Sequence, residues 1–306
     1  GQGDTSMTTL DPAVLDAIKT RMLENRYRYD DPYPADRIDS QWYWSENHIV
    51  ILAVDEYLTG QRFPTDTFAV TGLTGTEAME RTKPVILEWI DERARFGFFE
   101  WHSHVYMLKN ITPLLTIAEL ADDPELVRAA GMALDLCLVD MAGHHHSGDY
   151  VAPRGRTYKK DKMTAPDADT FGTSKFLFDD TSLPYSSRSD NGVTYLCAAM
   201  AYRPAQVVVE MATAPSPGVV RERHGIFVDG AAPVTPSPEA PFGWVTPSIL
   251  MCGRLGQPSR SEFRTTTLRD LTSVSVSAGE KAMIWLPFIS LIFRLGLIEG
   301  RAVSKN

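Results

Sequence analysis

Cysteine is scarce in this chain: 306 residues hold three, Cys137, Cys197 and Cys252. They lie far apart and match no zinc spacing, so each reads as a small apolar side chain rather than a ligand or nucleophile. Positive charge is also short, with 30 Lys and Arg against 39 Asp and Glu and a formal net charge of −9. That balance argues against nucleic acid and anionic membrane surfaces as partners, because both need a basic footprint. A few local Arg and Lys can still reverse the potential inside a cleft. Long apolar runs are missing too. The most apolar segment, Met283 to Ile298, is broken by Pro287 and Arg294 and is short for a bilayer span, so it reads as a buried helix. No membrane insertion is expected. Gly1-Gln2-Gly3-Asp4 reads as a tag remnant or a processed start, with residues 1–10 disordered. The expectation is a soluble protein, compatible with secretion or a periplasmic location after signal removal. No fixed repeat recurs, which excludes a regular solenoid.

What the chain does have is helical periodicity. Asp11 to about Arg26 opens on an acidic cap and sets Val14, Leu15, Ile18, Met22 and Leu23 at helical spacing. Ser45 caps a helix that stops at Gly60. Helices are then expected from Thr76 to Phe96, from Glu100 to about Ala121, and from Pro124 to about Met141. The last carries a stripe of Leu126, Ala130, Leu134, Cys137, Leu138 and Met141. Residues 143–189 and 215–247 are rich in Gly, Pro, Ser, Thr and Asp and read as long loops. Between them, Asp190–Tyr202 and Pro204–Thr213 resume as helices. Phe263 to Ala278 alternates enough to hold a minor β element near the C-terminus. The fold class is therefore all-α, in antiparallel helix pairs joined by short links, as one domain over 1–306.

Two stretches place unusual polarity where helices start. Trp42-Tyr43-Trp44-Ser45-Glu46-Asn47-His48 sets an acid, an amide and an imidazole beside three aromatics. Phe98-Phe99-Glu100-Trp101-His102-Ser103-His104-Val105-Tyr106 repeats the design. Helix N-termini favour anions. One helix separates the two and runs the opposite way, so both clusters should face each other across one end of the array.

At Ser45-Glu46-Asn47-His48 the sequence resembles the (α/α) toroid proteins of the alginate lyase and heparinase II/III type, over roughly residues 10 to 215. The resemblance implies an incomplete α/α barrel and a polysaccharide or oligosaccharide lyase that cleaves a uronate-containing glycan. Asn47-His48 match the family's Asn-His pair, although Glu46 precedes them, and Tyr106 is the counterpart of its proton-transferring tyrosine. In Arg154-Gly155-Arg156-Thr157-Tyr158, Arg156 corresponds to its substrate-binding arginine.

The chemistry of uronate β-elimination fits these residue types. A carboxylate must be neutralised and the proton on the neighbouring carbon removed. Asn47 and Arg156 suit the first task, His48 as base and Tyr106 as acid the second, with Tyr158 beside them. A tyrosinate would need a nearby cation, since a free phenol titrates near pH 10. Trp44 and Trp101 suit sugar stacking. Glu46, Glu100, His102, His104, His146, Arg154 and Lys159 complete the expected substrate contacts, the last two in a basic loop that suits an anionic ligand.

A rival reading pairs Glu46 with Glu100 as the carboxylates of an inverting glycoside hydrolase. Glutamate in a first helical turn is also an ordinary response to the dipole. A third reading is a non-catalytic or repurposed toroid that binds a sugar or another small molecule. His144-His145-His146 and Asp149 suggest a metal, but successive helical residues point about 100° apart and three adjacent histidines cannot converge on one ion. No metal and no cofactor are expected, and the sequence carries no signal for oligomeric state.

Overall fold

The computed structural model describes residues 11–33, 38–146, 148–152, 154–178, 181–185 and 191–214. The N-terminal ten residues, the extended segment 215–247, the β element expected at Phe263–Ala278, the helix at Met283–Ile298 and Cys252 lie outside them.

Most of the described chain is helical, and the helix starts follow from their caps. Helix α1 (Pro12–Leu23) begins where the Asp11 carboxylate accepts the Ala13 N–H, 2.8 Å away. Helix α2 (Glu46–Arg62) is capped by Ser45, whose hydroxyl accepts the His48 N–H. Thr74 and Glu77 form a reciprocal capping box at the start of α3 (Gly75–Phe96). Gly97 ends α3 with a φ of 74°, a conformation that favours glycine. Asp123 caps α5 (Pro124–Gly143) through the N–H groups of Glu125 and Leu126.

Helix α4 (His104–Leu120) starts later than the expected Glu100. His102 adopts a left-handed backbone, φ 52°, which interrupts helix propagation. The Ser103 hydroxyl then caps the helix by accepting the Tyr106 N–H. Residues 98–103 therefore form a turn, and this turn carries Glu100 of the candidate site. Helix α1 also ends earlier than expected, at Leu23.

Contacts at both ends fix the helix directions. Gly60, near the end of α2, meets Gly75 at the start of α3 so closely that a Cβ on Gly60 would come 2.4 Å from the Gly75 carbonyl oxygen. At the other end, the Trp89 indole of α3 donates to the Glu46 carbonyl at 2.8 Å. The two helices are antiparallel. Gln61 of α2 donates to the Leu120 carbonyl at the end of α4 (2.8 Å), while Glu46 meets the turn before α4. Helices α2 and α4 are thus parallel, and the two polar clusters open on the same side as expected.

The core between α2, α3, α4 and α5 is apolar, with Val50, Ile86, Leu114, Leu134 and Leu138 removed from water. Helix α8 (Gln206–Thr213) packs on α5 and buries Val208 and Ala212. Its connection from α7 (Asn191–Ala198) is held by Glu119, whose carboxylate accepts the N–H groups of Met200, Ala201 and Tyr202. Helix α7 therefore stops short of the expected Tyr202.

The long loop expected over 143–189 is more structured than its composition suggests. It contains a two-residue hairpin, β1 (His145–His146) against β2 (Asp149–Tyr150), two 3₁₀ turns and α6 (Phe171–Phe178). Buried Tyr150, Phe171 and Phe178 anchor it to the core. The buried Asp161 carboxylate accepts N–H bonds from Tyr158 and Asp169 and from the Lys160 ammonium, and this shapes the segment that carries Arg156. Among the described residues, no helix is long and apolar enough to cross a membrane.

Candidate active site

The floor of the site is Glu46. Its side chain is 2% exposed, pairs with the equally sealed Arg93 guanidinium at 3.2 Å, and accepts the backbone N–H groups of Phe99 (3.0 Å) and Glu100 (3.3 Å). Burial pushes its pKa up against the pull of Arg93. This glutamate ties α2, α3 and the 98–103 turn together. It is not a group open to substrate, contrary to its expected role as a contact or as one half of a hydrolase pair.

One residue on, Asn47 is fully buried and its amide is oriented from both sides. The Ser45 hydroxyl donates to Asn47 Oδ1 at 2.8 Å, and Asn47 Nδ2 donates to Glu100 Oε2 at 3.1 Å. Arg156 donates to the other oxygen, Glu100 Oε1, at 3.0 Å. A single carboxylate is therefore gripped by an amide and a guanidinium. Burial pushes the Glu100 pKa up to about 7, with Glu46 adding to that rise and Arg156 opposing it.

Ser45 also fixes the state of His48. Its one proton goes to Asn47, so its oxygen accepts from His48 Nδ1–H, which assigns the imidazole to the tautomer with Nε2 unprotonated. Burial, then the charges of Lys109 and Arg156, lower the His48 pKa to about 4 and keep the ring neutral near pH 7. The Arg156 guanidinium lies 4.4 Å from the centre of the Tyr106 ring, and it donates to Tyr158 Oη at 3.0 Å. The two tyrosine hydroxyls share a 2.8 Å hydrogen bond. Burial and that bond raise the Tyr106 pKa, and Arg156 offsets only part of the rise. Tyr106 is thus a phenol at neutral pH and holds a proton.

Other expected residues lie elsewhere. Trp101 is buried, with its ring edge-on to His102, and presents no face for a sugar. His102 is sealed against Tyr150 and His144, and His104 is sealed against the Thr170 hydroxyl with a pKa lowered by burial to about 3. Arg154 donates to the carbonyls of Asp161 and Tyr150, so it braces the loop. Lys159 and His146 are exposed, His146 in the hairpin paired with Asp149. Trp44 belongs to an aromatic ledge with Trp42 (5.0 Å) and Tyr29 (6.0 Å), both well exposed.

The histidine run lies past the end of α5, in its cap and in β1 rather than in a helix, and its side chains separate there. His144 donates to the Asp140 carbonyl, His145 packs on Phe178, and His146 points into solvent. Among the described residues, no group of three or more His, Cys, Asp or Glu side chains could hold a metal ion. Sequence reasoning missed Lys109 and Arg93. Lys109 sits one helical turn after Tyr106 and lies 6.0 Å from its ring, a spacing that could have identified it. Comparisons of the chain with protein-family models, curated proteins and solved structures return no match.

Proposed function

We propose that the protein is a carbohydrate-active enzyme, a lyase that cleaves a uronate-containing polysaccharide or oligosaccharide by β-elimination. We further propose that its helix pairs belong to an (α/α) toroid of the alginate lyase and heparinase II/III type. The observation that carries the reaction is the carboxylate grip: Asn47 and Arg156 hold one carboxylate between them at 3.1 and 3.0 Å. Neutral His48 and the Tyr106–Tyr158 hydroxyl pair lie alongside.

In this reading the amide and guanidinium neutralise the substrate carboxylate and so acidify the proton on the adjacent carbon. His48 Nε2 takes that proton. The electron pair left behind forms a carbon–carbon double bond as the glycosidic C–O bond breaks. The departing oxygen takes a proton from Tyr106; solvent then returns a proton to the Tyr106–Tyr158 hydroxyl pair and accepts the one held by His48, which restores the starting state. The ledge of Trp42, Trp44 and Tyr29 suits further sugar rings. Parallel α2 and α4, each paired with an antiparallel neighbour, support the toroid. The hydrolase alternative is weaker, because the Glu46 oxygens are already committed to Arg93 and two backbone N–H groups.

The test is incubation with a panel of uronate and neutral glycans, with near-ultraviolet absorbance and reducing ends followed in parallel. Absorbance should rise with uronates alone, and His48→Ala should remove it by about 10²–10⁴-fold while substrate still binds. Reducing ends without absorbance would mean hydrolysis and end this reading.

A further inference from the structure

We infer that Glu100 is a built-in substitute for the ligand's carboxylate: it fills the Asn47–Arg156 grip from within, and an acidic sugar enters by displacing it. The inference rests on the reading above, in which that grip receives a substrate carboxylate.

Each oxygen of Glu100 is held by one donor of the type a uronate needs, Oε2 by the Asn47 amide and Oε1 by the Arg156 guanidinium. The pair is open enough to exchange. Arg156 is 44% exposed and Glu100 19%, whereas the Glu46–Arg93 pair beneath is closed on both sides. Glu100 is largely buried, but the exposed side of Arg156 gives another anion a path to the pair.

The grip also survives the departure of Glu100. Ser45 still holds Asn47 Oδ1, so the amide N–H stays aimed at the vacated place. Arg156 keeps its hydrogen bond to Tyr158 and its stack on Tyr106. Such preorganisation lowers the entropy lost on binding. The Glu100 backbone is pinned by its N–H to Glu46 and by its carbonyl to the Ser103 N–H, 3.1 Å away. Only the side chain needs to rotate.

The exchange makes acidic-sugar binding depend on pH. The groups that act on Glu100 are Asn47 and Glu46 from α2, Tyr106 and Lys109 from α4 and Arg156 from the loop, with Arg93 of α3 behind Glu46; His48 and Tyr158 meet it through Arg156. His48 stays neutral down to about pH 4, while the Glu100 carboxyl, with its pKa pushed up to about 7, changes charge across the neutral range. A uronate carboxyl, with a pKa near 3.5, remains ionised throughout. Protonated Glu100 releases the grip to it.

The experiment is calorimetric titration of the whole chain with D-glucuronate, with its methyl ester as the uncharged control. In the wild type, glucuronate should bind about tenfold tighter at about pH 5.5 than at about pH 8, following the fraction of Glu100 that is protonated. Glu100→Gln should bind it about tenfold tighter than wild type at the higher pH and should lose the pH dependence. The ester should bind weakly to both. Unchanged or weaker binding by Glu100→Gln, a flat wild-type profile, or equal binding of ester and acid would each overturn the inference. If Glu100→Gln does not fold, the wild-type pH series and Glu100→Ala still decide it. Binding is read without turnover, so the two proposals fail separately. Tighter Glu100→Gln binding without near-ultraviolet product keeps the exchange and removes the lyase, and product formation with weakened Glu100→Gln binding does the reverse.

Discussion

The Glu46–Arg93 and Glu100–Arg156 pairs use the same two side-chain types at nearly the same separation, 3.2 and 3.0 Å, in opposite settings. The inner pair is sealed, with both side chains 2% exposed, and its carboxylate is saturated by backbone N–H groups. The outer pair is partly open, and its carboxylate is held by side chains alone in the contacts described. In the dry setting, loss of Arg93 strands a buried carboxylate, while loss of Glu46 leaves Arg93 only Glu92 at the surface. In the wet one, water or another anion can take the vacated place. The same chemistry is therefore structural at the base of the site and exchangeable at its mouth. A charge is fixed in place by its surroundings more than by its partner.

The sharpest way to break this comparison is to truncate one member of each pair. Glu46→Gln should destabilise the fold by about 1–3 kcal/mol, because the buried Arg93 guanidinium loses its interior counter-charge and keeps only Glu92, 2.8 Å away at the surface. Urea unfolding would register a lower midpoint at an unchanged m-value. A loss of stability below about 1 kcal/mol would show that water reaches the inner pair. Arg156→Ala should do the opposite, with stability altered by no more than about 1 kcal/mol. Under the proposed lyase reading, turnover of a uronate glycan should fall by about 10²–10³-fold, because the grip on developing negative charge is gone. If activity survived, Arg156 would belong only to the loop.

A third, smaller effect separates the titrations at the site. Glu100 holds its proton up to about pH 7 when folded and only to about 4.5 when unfolded. Between those values the folded state binds more protons, so the Glu100 contribution to stability falls as pH rises. His48 and His104, lowered from 6.5 to about 4 and about 3, act in the other direction and lose stability on acidification below 6.5. The stability of wild type relative to Glu100→Gln should therefore decline from about pH 4.5 to about pH 7. A pH-independent difference would mean that Glu100 titrates normally.

Part of the site was legible in the sequence. Ser45 before Glu46-Asn47-His48 signals a cap, and one antiparallel helix between two polar helix starts predicts their common side. The expectation of one mouth holding Asn47, His48, Glu100, His104, Tyr106, Arg156 and Tyr158 rests on that topology; His104 is instead sealed against Thr170. The division of labour between the two glutamates was not legible. Glu46 and Glu100 look alike in sequence, and Arg93 looks like an ordinary cation in a last helical turn, where the dipole favours one. The turn at 98–103 was also missed, since it contains no Gly or Pro and His102 adopts positive φ without a compositional warning. The structured stretch around Asp161 was hidden for a related reason, because a polar composition gives no sign that one carboxylate will be buried and saturated.

Short-range physics, namely caps, helical periodicity and the scarcity of cysteine and basic charge, was decided by the amino-acid order alone. Those interactions span a few residues and depend little on what lies across the fold. Which carboxylate is dry, which is wet and which histidines are sealed was decided only by tertiary packing. Burial is a property of neighbours brought from far along the chain, and it sets the charge states on which any chemistry here depends.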